Sequence, residues 1–185
     1  MFELIDKYLL YRVQIKRDPE AFVKIYDRYV ESIYRFVVLK LPRQEDAQDI
    51  TAEVFTRFWQ YVQQQKTVKN VRAFLYKIAR NLVVDFYRHQ KETTELEIVT
   101  FSEERTSSII DSDQNSSLAE IEAKTELALV LDQLDKLKED YRDVLALRLI
   151  DGLAFADIAN ILDKKVNTVR VIYHRGIKAI QEFKK

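Results

Sequence analysis

Three helices are predicted in the C-terminal part of the chain, residues 134–183, because apolar residues recur there at helical spacing. The first helix ends before Asp151-Gly152, and a short helix covers Phe155–Leu162. A polar break at residues 163–165 separates this short helix from a final, basic one. Two short helices joined by a tight break, the second with cations on its outer side, are typical of the helix-turn-helix that places a helix in the DNA major groove. The pattern indicates nucleic-acid binding rather than catalysis.

The final helix has two chemically different faces. Its apolar face, which we expect to pack against the rest of the domain, consists of Val166, Val169, Tyr173, Ile177 and Ile180. Its opposite face carries Asn167, Val171, His174, Arg175 and Lys178, with Arg170 at the border. The apolar face is therefore expected to anchor the helix, which leaves the opposite face available to DNA.

Residues 1–90 are predicted to form a packed helical domain. One helix is expected to begin at Asp18-Pro19-Glu20, with Asp18 as the N-cap, and to end at Pro42. Two more are expected from about residue 44 to residue 63 and from residue 71 to about residue 89, on either side of a polar loop. The apolar positions of these three helices are, in order, Phe22, Ile25, Tyr26, Tyr29, Ile33, Phe36 and Val37; Ile50, Val54, Phe58 and Tyr61; and Leu75, Ile78, Ala79, Leu82 and Phe86.

Helical periodicity fades from about residue 90 to residue 117, where Ser, Thr and acidic residues accumulate. We therefore predict an all-α protein with two small helical domains, residues 1–90 and 118–185, joined by an acidic flexible linker, residues 91–117. The low content of Gly and Pro, two of each, favours the same fold class.

The absence of Cys excludes disulfides, and two His residues alone cannot supply a structural zinc site. The longest aliphatic or aromatic run, residues 127–131, is too short to span a bilayer, and the N-terminus does not have the pattern of a signal peptide. We therefore expect a soluble cytoplasmic protein that does not insert into a membrane.

The formal net charge is +0, but the placement of the charges matters more than their sum. Basic residues dominate residues 72–91 and 164–185, with a single acid in each segment, Asp85 and Glu182. Acids concentrate on the helix that begins near residue 44 and in the predicted linker. Two basic surfaces separated by acidic segments are therefore expected.

Three stretches of the chain resemble the extracytoplasmic-function (ECF) group of bacterial RNA polymerase sigma factors, within the sigma-70 family. The first is DPEAFVKIYDRYVESIYRF, residues 18–36. The second is EDAQDITAEVFTRFW, residues 45–59, continued by RAFLYKIARNLVVDFYR, residues 72–88. The third is the helix-turn-helix. Their order and separation match that group over most of the chain outside the linker.

The resemblance implies that the helix beginning near residue 44 grips a helical coiled coil on the clamp of the polymerase β′ subunit. Its candidate contacts are Asp46, Asp49, Glu53 and Gln60, because acids complement basic groups and fix orientation. The alternative, an ordinary solvated face, is the usual explanation for one amphipathic helix considered alone.

The next helix and the loop before it would, by resemblance, bind the promoter −10 element and capture an extruded base. The candidate residues are Lys66, Lys69, Asn70, Arg72, Lys77, Arg80 and Asn81. Cations hold phosphates, while an Asn amide offers both a donor and an acceptor to a base edge. Capture of an unstacked base requires neither ATP nor a metal.

The −35 element would be bound, by resemblance, by the final helix and the break before it. The candidate residues are Lys164, Lys165, Asn167, Thr168, Arg170, Val171, His174, Arg175 and Lys178. This chain departs from many relatives at the break, where Asp163 and Lys165 stand. Asp tolerates the left-handed backbone that the turn needs, and Gly176 in the helix is expected to allow close packing.

The leading hypothesis is a sigma factor that directs core RNA polymerase, through its β′ clamp and β flap, to specific promoters. By resemblance, an anti-sigma protein holds it inactive until a stress or envelope signal, and the linker threads through the polymerase. The alternative is a free-standing helix-turn-helix regulator that binds an operator. An enzyme finds almost no support, and no cofactor or metal is expected, because no nucleophile–base set or metal cluster is evident.

Overall fold

A computed structural model describes residues 2–93 and 137–183, and every regular element in these ranges is a helix. The described residues divide into two compact units. All those before the gap except residues 42–44 belong to the first unit, and those after the gap belong to the second. The all-α prediction is therefore confirmed. The predicted linker, residues 91–117, and the start of the second domain at residue 118 lie almost entirely outside the described residues, so those boundaries stay predictions.

The N-terminal unit consists of four helices. They are α1, Phe2–Lys16; α2, Pro19–Val38; α3, Gln44–Gln63; and α4, Val71–Thr93. The starts of α2, α3 and α4 agree with the prediction, and α4 continues past the predicted end near residue 89. Helix α1 was not among the predicted helices. It packs against α2 and, over a smaller contact, against α4.

The turn between α1 and α2 is organised by Asp18, whose Oδ1 accepts hydrogen bonds from the backbone N–H groups of Glu20 (2.9 Å) and Ala21 (3.3 Å). Its other carboxylate oxygen pairs with the guanidinium of Arg12. Desolvation alone would raise the pKa of Asp18, but the bonds from Ala21 and Arg12 outweigh it, and the pKa lies below its ordinary value. The predicted N-cap is therefore confirmed, and it also ties α2 to α1.

The core of this unit is rich in aromatic contacts between helices. Phe22 of α2 meets Trp59 of α3 edge-on at 4.8 Å between ring centroids, and Phe36 meets Tyr76 of α4 at 5.2 Å. Most predicted core positions are buried. Four are only half-buried, namely Phe22, Tyr61, Ile78 and Phe86, and Tyr26 is exposed, so the prediction was too broad there. Buried positions of these three helices that the prediction missed are Ala21, Val38, Ala47, Thr51, Phe55, Val62, Val71, Tyr76 and Val83.

A buried polar cluster holds α1 on α2. The hydroxyl of Tyr29 donates to Asp6 Oδ2, and Arg28 Nη1 lies 3.3 Å from Asp6 Oδ1. Burial, with the hydrogen bond to Asp6, raises the pKa of Tyr29. Because both oxygens of the buried Asp6 carboxylate have partners, α1 is fixed to α2 in one register.

The C-terminal unit contains α5, Glu139–Leu145, which runs into a π-helical turn, Ala146–Ile150. The N–H of Asp151 donates to Ala146 O (3.2 Å), five residues back, as π-helical winding requires. Helix α6 follows at Phe155–Leu162, the bounds predicted from sequence, and helix α7 covers Val166–Phe183. The predicted helix-turn-helix is therefore confirmed.

The break between α6 and α7 is made by Asp163, which has φ 53° and ψ 47°, the left-handed conformation. The next N–H, that of Lys164, donates to Ala159 O at 2.9 Å and closes the end of α6. Asp adopts this backbone more readily than most non-glycine residues. The expectation for this position is confirmed.

Helix α7 packs on α5 and α6 through a face somewhat different from the predicted one. Val169 is buried as expected, but Ile172 and Gly176, which were not assigned to the apolar face, are buried as well. The other predicted positions, Val166, Tyr173, Ile177 and Ile180, are half-buried. A Cβ placed on Gly176 would lie 2.9 Å from Leu145 Cδ1, so this glycine does permit close packing.

Two further findings concern the described ranges. None of their helices has the length and apolar character that a membrane span requires. Within the same ranges, no three His, Cys, Asp or Glu side chains are grouped so that they could hold a metal ion.

Candidate nucleic-acid interface

The outer face of α7 presents most of the residues predicted to contact the −35 element. The exposed members of the predicted set are Lys165, Asn167, Thr168, Arg170, Val171, His174, Arg175 and Lys178. They lie opposite the buried Val169 and Ile172. Two Arg, two Lys, one Asn, one Thr, one His and one Val thus occupy one side of a helix whose other side is packed. Such a face suits insertion into a major groove.

Lys164 differs from the rest of this set. It is half-buried, and its Nζ lies 3.2 Å from Asp140 Oδ1 of α5. The ion pair connects the helix-turn-helix break to α5. A phosphate contact by Lys164, as the sequence suggested, would compete with this pair.

Two Arg guanidinium groups lie near the ring of Phe155, an arrangement that the sequence did not predict. The guanidinium carbon of Arg148 lies 4.8 Å from the centroid of the Phe155 ring, and that of Arg170 lies 6.0 Å away. Arg148 Nη1 donates to Leu153 O at 2.8 Å, which fixes the first cation. Tyr173 meets the same ring edge-on at 5.4 Å. Phe155, at the first position of α6, therefore contacts a residue of the outer α7 face, and the only sequence signal was an aromatic residue at a helix start.

The second basic surface lies on α4 and the loop before it. Lys66, Lys69, Lys77 and Asn81 are exposed, and Arg72 and Arg80 are half-buried. The loop is anchored because Gln14 of α1 donates its Nε2–H to Lys66 O at 2.8 Å. Arg72 lies near enough to Tyr29 for its charge to act on the pKa of that hydroxyl.

Asn70 has a structural role that the sequence analysis did not anticipate. Its Oδ1 accepts a hydrogen bond from the backbone N–H of Ala73 at 3.0 Å, which caps the start of α4. The amide oxygen that could accept from a base edge is thus occupied in this structure. The other candidate amide, Asn81, is exposed on α4.

A shallow pocket opens beside this loop. Its lining residues are Asp6, Lys7, Leu10, Lys69, Asn70 and Val71. Half of these come from α1, which was absent from the predicted −10 site. Helix α1 therefore forms one wall of the predicted −10 surface, and nothing in its periodicity indicated this.

The outer face of α3 carries the residues predicted to contact the polymerase. Asp49 and Gln60 are exposed, while Asp46 and Glu53 are half-buried. Glu53 accepts a hydrogen bond from Arg57 Nε at 2.8 Å within the same helix. The opposite face is buried through Ile50, Val54 and Phe58, as predicted.

Two family models of known proteins match this chain, one in the region of each unit. The family model for sigma-70 region 2 matches residues 25–93, and that for sigma-70 region 4 matches residues 127–180. The ECF RNA polymerase sigma factor SigW of Bacillus subtilis (strain 168) is 30% identical over 179 residues, which cover 91% of this chain and 92% of that protein. The chain belongs to the ECF group of sigma factors. The predicted family is thereby confirmed, and the chain is a promoter-directing sigma factor.

Other relatives and solved structures extend this result. The ECF sigma-E factor of Escherichia coli (strain K12) is 29% identical over 185 residues, covering 96% of this chain and 93% of that protein. The structure of CnrH in complex with the cytosolic domain of CnrY matches with a TM-score of 0.66 and 19% identity, over 97% of this chain and 96% of that one. The sigma factor RpoE of Bartonella quintana, solved with the anti-sigma factor NepR, matches with a TM-score of 0.60 and 19% identity, over 87% and 94%. The present chain therefore shares its helical fold with both solved sigma factor chains.

Proposed function

We propose that this sigma factor joins core RNA polymerase through the outer face of α3 and directs it to promoters with two DNA-binding surfaces. The loop before α4, with α4 itself, binds the −10 element, and the outer face of α7 binds the −35 element. The observation that carries the proposal is that each unit of an ECF sigma factor exposes its own cationic face on a helix whose other side is packed.

Contacts to the −35 element rest on Arg170 and Arg175, because an Arg bonds both guanine O6 and N7 in the major groove. Each such pair contributes about 1–3 kcal/mol of discrimination against the wrong base. Asn167 and Thr168, at the start of α7, lie where helix N-terminal residues approach base edges or phosphates. Lys165 and Lys178 supply charge to the DNA backbone without selecting sequence.

Contacts to the −10 element rest on a different chemistry. Lys66, Lys69 and Lys77 hold phosphates of the opened strand, and Asn81 offers its amide to an unstacked base. Unstacking costs a few kcal/mol per step, which binding of the opened strand offsets. Arg80, half-buried on the same helix, adds charge next to Asn81.

Polymerase binding rests on Asp46, Asp49, Glu53 and Gln60 of α3. Acidic side chains on a rigid helix complement a basic partner and fix its orientation more than they add affinity. We further propose that the chain contacts the β′ clamp through this face and the β flap through the C-terminal unit, and that it works in the cytoplasm. The solved neighbours in complex with CnrY and NepR support an anti-sigma partner for this chain as well.

In-vitro transcription with purified, sigma-free core polymerase tests the proposal. With a genomic promoter library as template, the chain should produce discrete start sites, and polymerase alone should not. A free-standing regulator would change nothing without another sigma factor present. Failure to initiate on any template, with the chain folded by circular dichroism, would refute the proposal.

Titrations of promoter DNA at several salt concentrations can locate the sites. Lys178→Ala should weaken binding to all templates about equally and reduce the salt slope by about 1, since it removes one phosphate contact. Lys24→Ala, an exposed Lys of α2 outside both surfaces, serves as the matched control and should leave the salt slope unchanged. Equal effects of the two substitutions would remove α7 from the DNA interface.

A further inference from the structure

Helix α1 carries a row of large apolar side chains on the side that does not pack. Leu4, Tyr8, Tyr11 and Ile15 are 72%, 59%, 52% and 60% exposed. They are separated by four, three and four residues, so at 3.6 residues per turn they form one line along the helix. This line, the α1 stripe, extends about 16 Å at 1.5 Å per residue.

The α1 stripe cannot be buried by a rotation of α1. The opposite side of the helix is already packed through Leu9, Leu10 and Val13, and the Asp6–Tyr29 hydrogen bond fixes the register. A helix with two opposite apolar faces is expected where both faces have partners. One partner is the α2–α4 side of the unit, and the other is missing from the described structure.

The spacing of the α1 stripe specifies the geometry of the missing partner. Intervals of four and three residues form the seam along which a second helix packs by inserting its side chains between those of the first. A single narrow row favours a partner helix over a lipid surface, because helices that lie in a membrane interface present a wider apolar face.

The charges beside the α1 stripe specify the chemistry of the partner. Lys7, Lys16 and Arg17 are exposed on or next to α1. Helix α1 contains two carboxylates. Asp6 is buried and paired, and the side chain of Glu3 lies outside the described residues, so cations outnumber acids beside the α1 stripe. A second copy of this chain would place cations against cations, whereas a helix with acidic flanks would complement them.

We propose that the α1 stripe is a docking site for an amphipathic helix with acidic flanks, contributed by another protein. The partner's apolar residues insert along Leu4, Tyr8, Tyr11 and Ile15, and its carboxylates face Lys7 and Lys16. None of the four stripe residues belongs to the α3 face proposed for the polymerase or to the residues proposed to bind DNA, so the stripe does not depend on those assignments. Lys7 is the one shared residue, because it also lines the pocket beside the loop before α4.

Three labelled synthetic peptides of about three heptads test this with the full-length chain. The first has Leu and Ile at the seam and Glu at the flanks; the second replaces Glu by Lys; the third is a scrambled form of the first. Fluorescence anisotropy at physiological salt should show saturable binding of the acidic peptide, with at least ~10-fold weaker binding of the other two. Equal binding of the acidic and basic peptides would overturn the charge argument.

Substitutions locate the site. Tyr11→Ser and Ile15→Ser should each weaken binding of the acidic peptide about 10-fold or more, because each removes a large apolar side chain from the contact. Leu149→Ser, which alters an equally exposed apolar residue of the C-terminal unit, is the matched control and should have no effect. Unchanged binding by both stripe variants, with their melting temperatures preserved, would refute the proposal.

Two alternatives give different results with the same variants. Loss of binding to phosphatidylglycerol vesicles in Ile15→Ser, with no peptide binding by the unsubstituted chain, would assign the α1 stripe to a membrane surface. A stripe-dependent dimer in sedimentation velocity would assign it to a second copy. Either outcome overturns the docking of an acidic helix.

Discussion

Single residues set the local geometry at several points of this sigma factor. Asp163 takes the left-handed backbone that turns α6 into α7, and Asp18 begins α2 while pairing with Arg12 of α1. Gly176 lets α7 approach α5, and Tyr29 supplies the donor that satisfies Asp6. At each point one side chain, or its absence, decides how two helices meet.

Gly176→Ala should destabilise the protein even though Ala favours helix by up to about 1 kcal/mol over Gly. The new Cβ would lie 2.9 Å from Cδ1 and 3.2 Å from Cγ of Leu145, which is fully buried and has little room to move. Overpacking of this kind costs about 1–3 kcal/mol. Urea denaturation should show a lower midpoint. In a Leu145→Ala background, where the clashing side chain is absent, Gly176→Ala should lower the midpoint less than it does in the unsubstituted chain. A raised midpoint for Gly176→Ala alone would contradict the expectation.

Tyr29→Phe should lower stability at neutral pH, because it removes a donor from the buried Asp6 carboxylate, a loss of about 1–3 kcal/mol. The pKa of Tyr29 is raised in the folded state, so its contribution is complete below the ordinary value of 10.0 and declines as pH rises above it. The difference in melting temperature between the unsubstituted chain and Tyr29→Phe should therefore shrink in strongly alkaline buffer. Tyr34→Phe, which alters a half-buried Tyr of α2 outside this cluster, is the control. A difference that grows with pH would contradict the assignment.

The helices combine these local geometries into faces with separate tasks. Helix α7 packs through Val169, Ile172 and Gly176 and turns its cations outward. Helix α3 packs through Ile50, Val54 and Phe58 and turns its acids outward. Helix α6 contributes indirectly to the outward face of α7, because the ring of its first residue, Phe155, lies beside the guanidinium of Arg170.

Phe155→Leu should reduce sequence discrimination at the −35 element more than it reduces overall affinity. Loss of the ring removes the surface against which Arg170 lies, so this guanidinium is held less firmly towards a base. Binding titrations on templates with each −35 position changed should show a selectivity loss resembling that of Arg170→Ala, worth up to about 1–3 kcal/mol. Phe155→Tyr keeps the ring and should retain selectivity. A uniform loss over all templates would mean that Phe155 serves only stability.

Glu53→Lys should weaken binding of core polymerase and leave the fold intact. Glu53 lies half-exposed on the outer face of α3, and its side chain pairs with Arg57 one turn later, so it is not part of the packed core. Glu31→Lys is a matched control, because Glu31 has the same spacing to Arg35 and lies on α2 outside the proposed face. A pull-down at modest salt should separate the two variants. Equal retention of core polymerase by both would remove Glu53 from the interface.

At the scale of the whole molecule, a net charge of +0 conceals an uneven distribution. Cations face outward on α4 and α7, and acids face outward on α3. Each unit is well packed by itself and carries one of the two surfaces proposed to bind DNA. Promoter recognition by such a chain requires both surfaces to bind one DNA molecule. Once the first surface has bound, the second is held near its own element, which favours its binding.

Arg175→Ala should therefore lose activity only on templates that keep their −35 element. When that element is replaced by unrelated sequence, the substitution should have little further effect, because the contact it removes is already gone. Arg80→Ala should behave in the opposite way and still reduce activity on the altered template. Run-off transcription with a two-by-two set of proteins and templates measures this. Additive losses for Arg175→Ala on both templates would place Arg175 outside the −35 contact.

Local features of the fold were predictable from sequence. The cap at Asp18, the bounds of α6 and the left-handed Asp163 depend on interactions within a few residues, which capping rules and helical periodicity describe. The exposed faces of α3 and α7 followed from the same periodicity. The partners of those faces remain proposals that rest on the family resemblance.

Helix α1 escaped prediction for a physical reason. Amphipathic periodicity reveals a helix only when one side is polar, and α1 is apolar on two opposite sides, through Leu9 and Val13 and through Tyr8 and Ile15. The same cause hid the α1 wall of the −10 pocket.

The sequence by itself determined the fold class, the order of the described helices from α2 onward, the family and the outward faces of α3 and α7, because these depend on short-range spacing and residue chemistry. Only the tertiary structure decided which distant groups meet. It brought Tyr29 to Asp6, Gln14 to Lys66, Lys164 to Asp140 and Phe155 to Arg170. It also assigned the Asn70 amide oxygen to the cap of α4. Such contacts depend on how whole helices pack, and no pattern along the chain encodes that packing locally.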